Sequence, residues 1–148
     1  VIVSTAPMPT TVTTTAAASA DPEVAATQQL RQLAGSDHPY VAAVLADAWV
    51  PQLSAKRPGV VDQGVVWTNS LALQEHLRFR QQYNAKLLWS GEWSTFDGTN
   101  FWITVVPLTF NEASGALAWC RGQGFDRDHC IAKVISTSRP SAGSTALN

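Results

Sequence analysis

The stretch FWITVVPLTFNEASGALAWCRGQGFDRDHCIAKVIST, residues 101–137, reads as strand, helix and strand. FWITVVPL (101–108) is the β-branched and aromatic run that suits a pleated, half-buried surface. In NEASGALAWCRG (111–122), Ala113, Ala116, Leu117 and Cys120 recur at i, i+3, i+4 and i+7, one face of a helix. Thr109 and Glu112 stand ahead of it in the spacing of a capping box. CIAKVIST (130–137) returns as a strand. The same order occurs upstream, in AWVPQLSAK (48–56), SLALQEHLRFRQQY (70–83) and AKLLWSG (85–91). Each unit has a tryptophan in its first strand, Trp49 and Trp102, and an Ala-Lys pair in its last, at 85–86 and 132–133. Two βαβ units in tandem predict an α+β domain in which a four-stranded sheet carries both helices on one face, because right-handed crossovers place them together.

In the first unit Thr68, Asn69 and Ser70 offer helix caps, and Ala72, Leu73, Leu77, Phe79 and Tyr83 share a broad apolar arc. His76 and Arg80 fall inside that arc, where a histidine reads as a hydrogen-bonded core-edge residue rather than a ligand. Two short helices are expected before the repeat. The first, about 22–34, starts at Asp21-Pro22-Glu23 and stops at Gly35; the second, about 39–47, starts at Ser36-Asp37-His38-Pro39 and carries Tyr40, Val41, Val44 and Leu45.

Residues 1–20 are rich in threonine, alanine and proline and hold no charge, a composition that behaves as a flexible linker, expected either as a stalk from an upstream membrane segment or as a merely disordered terminus. Residues 21–138 form the expected domain and 139–148 a flexible tail. Over the 148 residues, 45% are apolar and 14% charged, with a net charge of −1, so one sizeable core is affordable and the scattered basic residues leave no footprint for nucleic acid.

Cys120 and Cys130 are the only cysteines, and Asp126, Asp128 and His129 lie between them. No paired C-x-x-C array is present, and adjacent His129 and Cys130 on a strand point to opposite faces, which argues against a metal site. Cys120 on a buried helix face makes a poor reactive thiolate. A disulfide across the helix-sheet interface explains more, with two buried free thiols as the alternative; such a bond implies an oxidising compartment. No phosphate loop, nucleophile elbow or metalloprotease motif occurs, no cofactor is implied, and no catalytic residue is assigned. The acidic residues are dispersed and no carboxylate pair declares itself; Glu75 and Glu92 could be drawn together in a cleft, but nothing in the spacing demands it.

Aromatic side chains crowd the junction between the units: Trp89, Trp93, Phe96, Phe101 and Trp102, interleaved with Ser, Gly, Asp and Asn. Alternation sends Phe101 and Trp102 to opposite faces of the sheet, so they cannot share one core. Trp89, Trp93, Phe96 and Trp102 are the candidate ligand-binding residues, since aromatic rings beside amides and hydroxyls suit sugar rings, peptides or a protein partner.

The segments DHPYVAAVLADAWVPQLSAKRPG, LLWSGEWSTF, FWITVVPLTF and ALAWCRGQGFDRDHCIAKVIST resemble the extracytoplasmic C-terminal domain of some mycobacterial receptor-type serine/threonine protein kinases, over about residues 37–138. The two-unit layout is also similar to SPOR domains, which bind peptidoglycan glycan on one sheet face, although the Trp-rich strands depart from their usual pattern. The resemblance implies an envelope sensor, anchored by a segment outside this sequence, that binds a cell-wall glycan, a peptide or an envelope protein. The alternative is a structural homodimerisation module without a small ligand. An envelope enzyme would need a cleft with a perturbed titratable pair.

Overall fold

The computed structural model describes residues 21–148. Helix α1, Pro22–Tyr40, is capped by Asp21, whose carboxylate accepts from the backbone N–H groups of Glu23 and Val24 at 3.1 and 3.2 Å. It is continuous where two short helices were expected. Ala26, Leu30, Ala34 and Asp37 are buried, and Val41 and Leu45 continue the stripe in a π-helical turn, Val41–Leu45. This burial outweighs the roughly 1 kcal/mol cost of Gly35 within the helix. Pro39 does break the regular ladder by removing one N–H, and the chain then widens to a π turn with Ala46 N–H donating to the Val41 carbonyl at 2.9 Å. Asp37 is not a second helix start but a buried ligand of Arg80 and of the Leu87 backbone.

The repeat folds as two interleaved units. Strand β1 (Trp49–Lys56), the hairpin β2 (Val61–Asp62) and β3 (Val65–Val66), helix α2 (Asn69–Tyr83) and strand β4 (Lys86–Trp89) make the first. Strand β5 (Trp102–Val105), helix α3 (Ala113–Gly122) and strand β6 (Ile131–Val134) make the second, and a short β7 (Thr145–Ala146) follows. The sheet order is β4-β5-β1-β6-β7, with every neighbouring pair antiparallel. It follows that β1 and β4 run parallel with β5 between them, and β5 and β6 run parallel with β1 between them. Each crossover therefore skips one strand, and the two units lock together as in ferredoxin-like domains. The α+β architecture with helices on one sheet face is the one the sequence predicts.

The helix face has two clusters. Leu30, Ala34, Leu87 and Trp102 pack where α1 crosses β4, and Leu53, Val106, Cys120 and Cys130 pack beneath α3. Cys120 and Cys130 are disulfide-bonded, with their Cα atoms 5.6 Å apart. The opposite face is not open: Val50, Leu88, Ile103, Val105 and Ile135 are covered by Trp93 with Phe96 and Phe101, and by Val41 and Leu45. Phe101 and Trp102 thus do point to opposite sides. The segment 139–148, expected as a flexible tail, adds β7 to the sheet. Buried Lys133 explains this, because its ammonium needs acceptors and finds them in the Thr95 carbonyl (2.7 Å), Ser144 Oγ (2.9 Å) and Thr145 Oγ1 (2.8 Å).

The capping box expected at Thr109 and Glu112 does not form. Glu112 is the N-cap of α3 without a side-chain bond, because Phe110 is held extended by exchanging backbone hydrogen bonds with Trp49 at 2.8 and 3.0 Å. The linker expected over residues 1–20 lies outside the described residues. Among the described residues no helix is long and apolar enough to cross a membrane.

Opening the Cys120–Cys130 loop by Cys120→Ala should cost about 2–3 kcal/mol, the chain-entropy value for a loop of this size. Thermal unfolding of the variant against the oxidised protein measures it, and an unchanged midpoint would mean that packing alone holds α3 to β6.

Candidate ligand-binding groove

β4 and β5 bring Trp89 opposite Trp102 in the sheet register, on the helix face, with ring centroids 4.4 Å apart and the planes tilted by 52°. Trp102 is 6% exposed, and its Nε1–H donates to Asn69 Oδ1 at 3.1 Å. Asn69 in turn donates through Nδ2 to Thr27 Oγ1 at 2.9 Å. The Glu23 carboxylate accepts from the Asn69 and Ser70 N–H groups at 2.8 and 2.7 Å, clamping the start of α2 to the start of α1. Partial burial pushes the Glu23 carboxyl upward, but the N–H groups of Ser70 and Asn69 outweigh it and hold the group below its ordinary range. Thr68 caps α2 by accepting from the Leu71 N–H.

Over the tryptophan pair lies a groove of about 520 Å³. Its lining comes from α1, through Thr27, Arg31, Ala34 and Gly35, from Arg57 and Pro58 after β1, and from Glu92 and Asn100 in the junction loop. Gly35 contributes no side chain, and a Cβ there would point into open space. Gly91 has the opposite role. A Cβ at that position would stand 2.6 Å from the Thr99 carbonyl and 3.1 Å from Trp89 Nε1, so glycine lets the junction loop close against Trp89.

The four candidate residues therefore divide. Trp89, half-buried, and Trp102 form the groove floor; Trp93 and Phe96 lie on the other side of the sheet. Trp93 is 4% exposed and belongs to the core, with the His38 ring 5.1 Å away and tilted by 33°. Phe96 is half-buried with Lys133 Nζ 4.9 Å from its ring centre. Arg31, Arg57 and Asn100 were not among the sequence candidates, while Glu92 was named only as a cleft carboxylate and Asn69 only as a helix cap. They are brought in by the α1 packing and by loop conformation, neither of which leaves a periodic signal.

A second polar cluster sits beside the β2–β3 hairpin, whose two-residue turn places Gln63 (φ 52°) and Gly64 (φ 75°) in the left-handed region. Lys56, buried, lies 3.3 Å from Asp62, 3.5 Å from Glu75 and 3.1 Å from Ser54 Oγ, with its Nζ 4.5 Å from the Trp67 ring centre. The Ser54 hydroxyl donates to the Glu75 carboxylate. Glu75 and Glu92 thus take different partners, Glu92 lying 3.7 Å from His38. His129 bridges Asp126 (2.6 Å) and Asp62 (3.3 Å), tying the hairpin to the disulfide loop. Asp126, then Asp62, raise the His129 pKa, and both carboxyls are held below their ordinary range. Among the described residues no group of three His, Cys, Asp or Glu side chains is arranged to hold a metal ion.

The signs of these shifts fix a pH dependence. The His129 contribution is fully present below its unfolded pKa of about 6.5 and is lost as pH rises through the higher folded value. The two aspartates contribute above their unfolded pKa of about 3.9 and fade as pH falls toward their lower folded values. Urea unfolding between pH 6 and 9 should show stability falling with pH in the native chain, and this slope should flatten in His129→Gln. Equal slopes would show that the bridge does not form in solution.

His76 is buried and neutral, its pKa pushed down to about 4 by burial and then by the neighbouring Arg80 charge. Arg80 donates to its Nε2 at 3.3 Å, which leaves Nδ1–H to donate to Thr104 Oγ1 at 2.9 Å. It serves the core edge, as its place on an apolar arc suggests.

Compared with known proteins, the chain matches no family model, no curated protein and no solved structure.

Proposed function

We propose that this domain is the extracytoplasmic ligand-binding sensor of a membrane-anchored serine/threonine protein kinase, and that the groove over Trp89 and Trp102 receives a cell-envelope glycan or peptide. The groove carries the reading: a half-buried tryptophan face rimmed by guanidinium, amide and carboxylate groups is the usual make-up of a site that orients a sugar or peptide. The disulfide fits an oxidising compartment. The kinase context rests on the sequence resemblance over residues 37–138. Chemical-shift titration of the labelled domain with soluble peptidoglycan fragments tests the site. A saturable shift of the Trp89 indole N–H in the native chain, with the affinity read at the Trp102 indole N–H about tenfold weaker in Trp89→Ala, the scale of a lost aromatic contact, is the expected result. No response of the Trp89 signal to any fragment would overturn it.

One observation favours homodimerisation as a second reading. The hairpin exposes Val61 (69%) and Val66 (62%) as a cross-strand pair on one face and Val65 (42%) on the other, an apolar tip suited to a second copy. Shifts confined to these residues on dilution, with the Trp89 signal silent toward fragments, would put dimerisation in the place of ligand sensing.

A further inference from the structure

We infer that Gly35 is a specificity-determining residue of the groove, exposing a bare turn of α1 whose Gly35 carbonyl accepts a hydroxyl of a saccharide bound over Trp89. This rests on the groove being the ligand site, and it names the ligand class and one contact there. Gly35 lines the groove from the interior of α1, where glycine costs stability relative to alanine. Nothing in the packing requires that cost. Of the nine glycines, four take a positive φ, and at Gly91, Gly98 and Gly115 a Cβ would stand 2.6, 2.5 and 2.7 Å from its nearest neighbour. Gly122 is the last residue of α3. Gly35 has neither a positive φ nor any atom within 4 Å of a Cβ placed there. The one interior helix glycine that the fold does not explain is thus the one in the lining of the groove.

Helical spacing puts Arg31, four residues earlier, and His38, three residues later, on the same side of α1 as Gly35. His38 lies 3.7 Å from Glu92, which also lines the groove, so the bare turn is bounded by Arg31 at one end and the His38–Glu92 pair at the other. Pro39 adds an acceptor to this turn. It has no N–H to give to the carbonyl four residues before it, which is that of Gly35. This oxygen lacks its regular helical donor, and no side chain at position 35 covers it. A single backbone acceptor near an indole face suits a hydroxyl at the edge of a sugar ring, whose C–H side packs on the indole. A peptide main chain pairs instead through alternating donors and acceptors, and the N–H groups of α1 at this depth are consumed within the helix.

The test titrates the labelled chain with two probes, the disaccharide of N-acetylglucosamine and N-acetylmuramic acid and the dipeptide L-alanyl-D-isoglutamine, read at the Trp89 indole N–H. The disaccharide should give a saturable shift and the dipeptide none. Gly35→Ala should raise the urea unfolding midpoint, because its Cβ enters open space and alanine favours the helix, yet Gly35→Ala and Gly35→Leu should bind the disaccharide about fivefold or more weakly, the scale of one hydrogen bond. Opposite signs for stability and binding are what a merely structural glycine would not produce. Pro39→Ala returns a donor to the Gly35 carbonyl and should weaken the disaccharide by a similar factor. Unchanged affinity in Gly35→Leu, with Trp89 responding, would overturn the role of Gly35 and leave the groove as the site. A lower unfolding midpoint in Gly35→Ala would overturn it too, since the glycine would then serve the helix. Affinity that survives Pro39→Ala would overturn the carbonyl contact, and a response to the dipeptide in place of the disaccharide would overturn the ligand class. Silence of Trp89 toward both probes would remove the inference together with the site it rests on.

Discussion

Trp102→Ala should destabilise the domain by about 3–5 kcal/mol, the range for deleting a large buried aromatic. Its ring is enclosed by Leu30, Ala34 and Leu87, and its indole N–H satisfies Asn69, so truncation opens a cavity and frees a polar group that also orders the start of α2. Trp89→Ala on the same floor removes a ring that is already part solvent-facing. It should cost about 1 kcal/mol, the centre of the distribution for single substitutions. Urea unfolding of both variants measures the difference. Comparable losses would mean that Trp89 is as much a core residue as Trp102, and the floor would then have no accessible face to offer a ligand.

That contrast marks where the sequence stops being informative. Strand alternation separates Phe101 from Trp102 correctly, and the helical spacing of Ala116 and Cys120 brings Cys120 to the sheet and hence to Cys130. These are local periodicities, and the chain states them directly. The pairing of Trp89 with Trp102 depends instead on β4 lying beside β5 in one register, a long-range fact with no local mark. Trp93 looks equivalent to Trp89 in composition, yet the 3₁₀ turn Ser90–Glu92 carries it around the strand end into the opposite core. The interleaving of the two βαβ units is similarly invisible, because a crossover that skips a strand and one that does not can share the same helix and strand lengths. The continuity of α1 was hidden by its own residues. Gly35 and Pro39 are stop signals by propensity, and only the burial of Leu30, Ala34 and Val41 against the sheet overrides them.

Asp37 is where that override is anchored, and Asp37→Ala should cost about 3 kcal/mol, at the lower end for breaking a buried ion pair because Arg80 keeps some solvent contact. The carboxylate takes two bonds from the Arg80 guanidinium, at 2.6 and 2.8 Å, and a third from the Leu87 N–H at 2.8 Å. β4 is an edge strand, and the Leu87 N–H is one of its outward donors, so Asp37 both fixes α1 to the sheet and blocks an edge that another chain would otherwise extend. Burial alone would raise its pKa, but Arg80 and the Leu87 N–H outweigh burial and hold the carboxyl below its ordinary range. A depressed folded value means that the contribution is present above the unfolded pKa of about 3.9 and disappears as pH falls through the folded one. Asp37→Asn keeps the size of the side chain and an acceptor for Leu87 but loses the charge. Its deficit against the native chain should therefore be largest near neutral pH and close at acid pH. Urea unfolding of the pair from pH 2 to 7 traces this difference; a constant deficit, or none, would show that shape rather than charge holds α1 on β4.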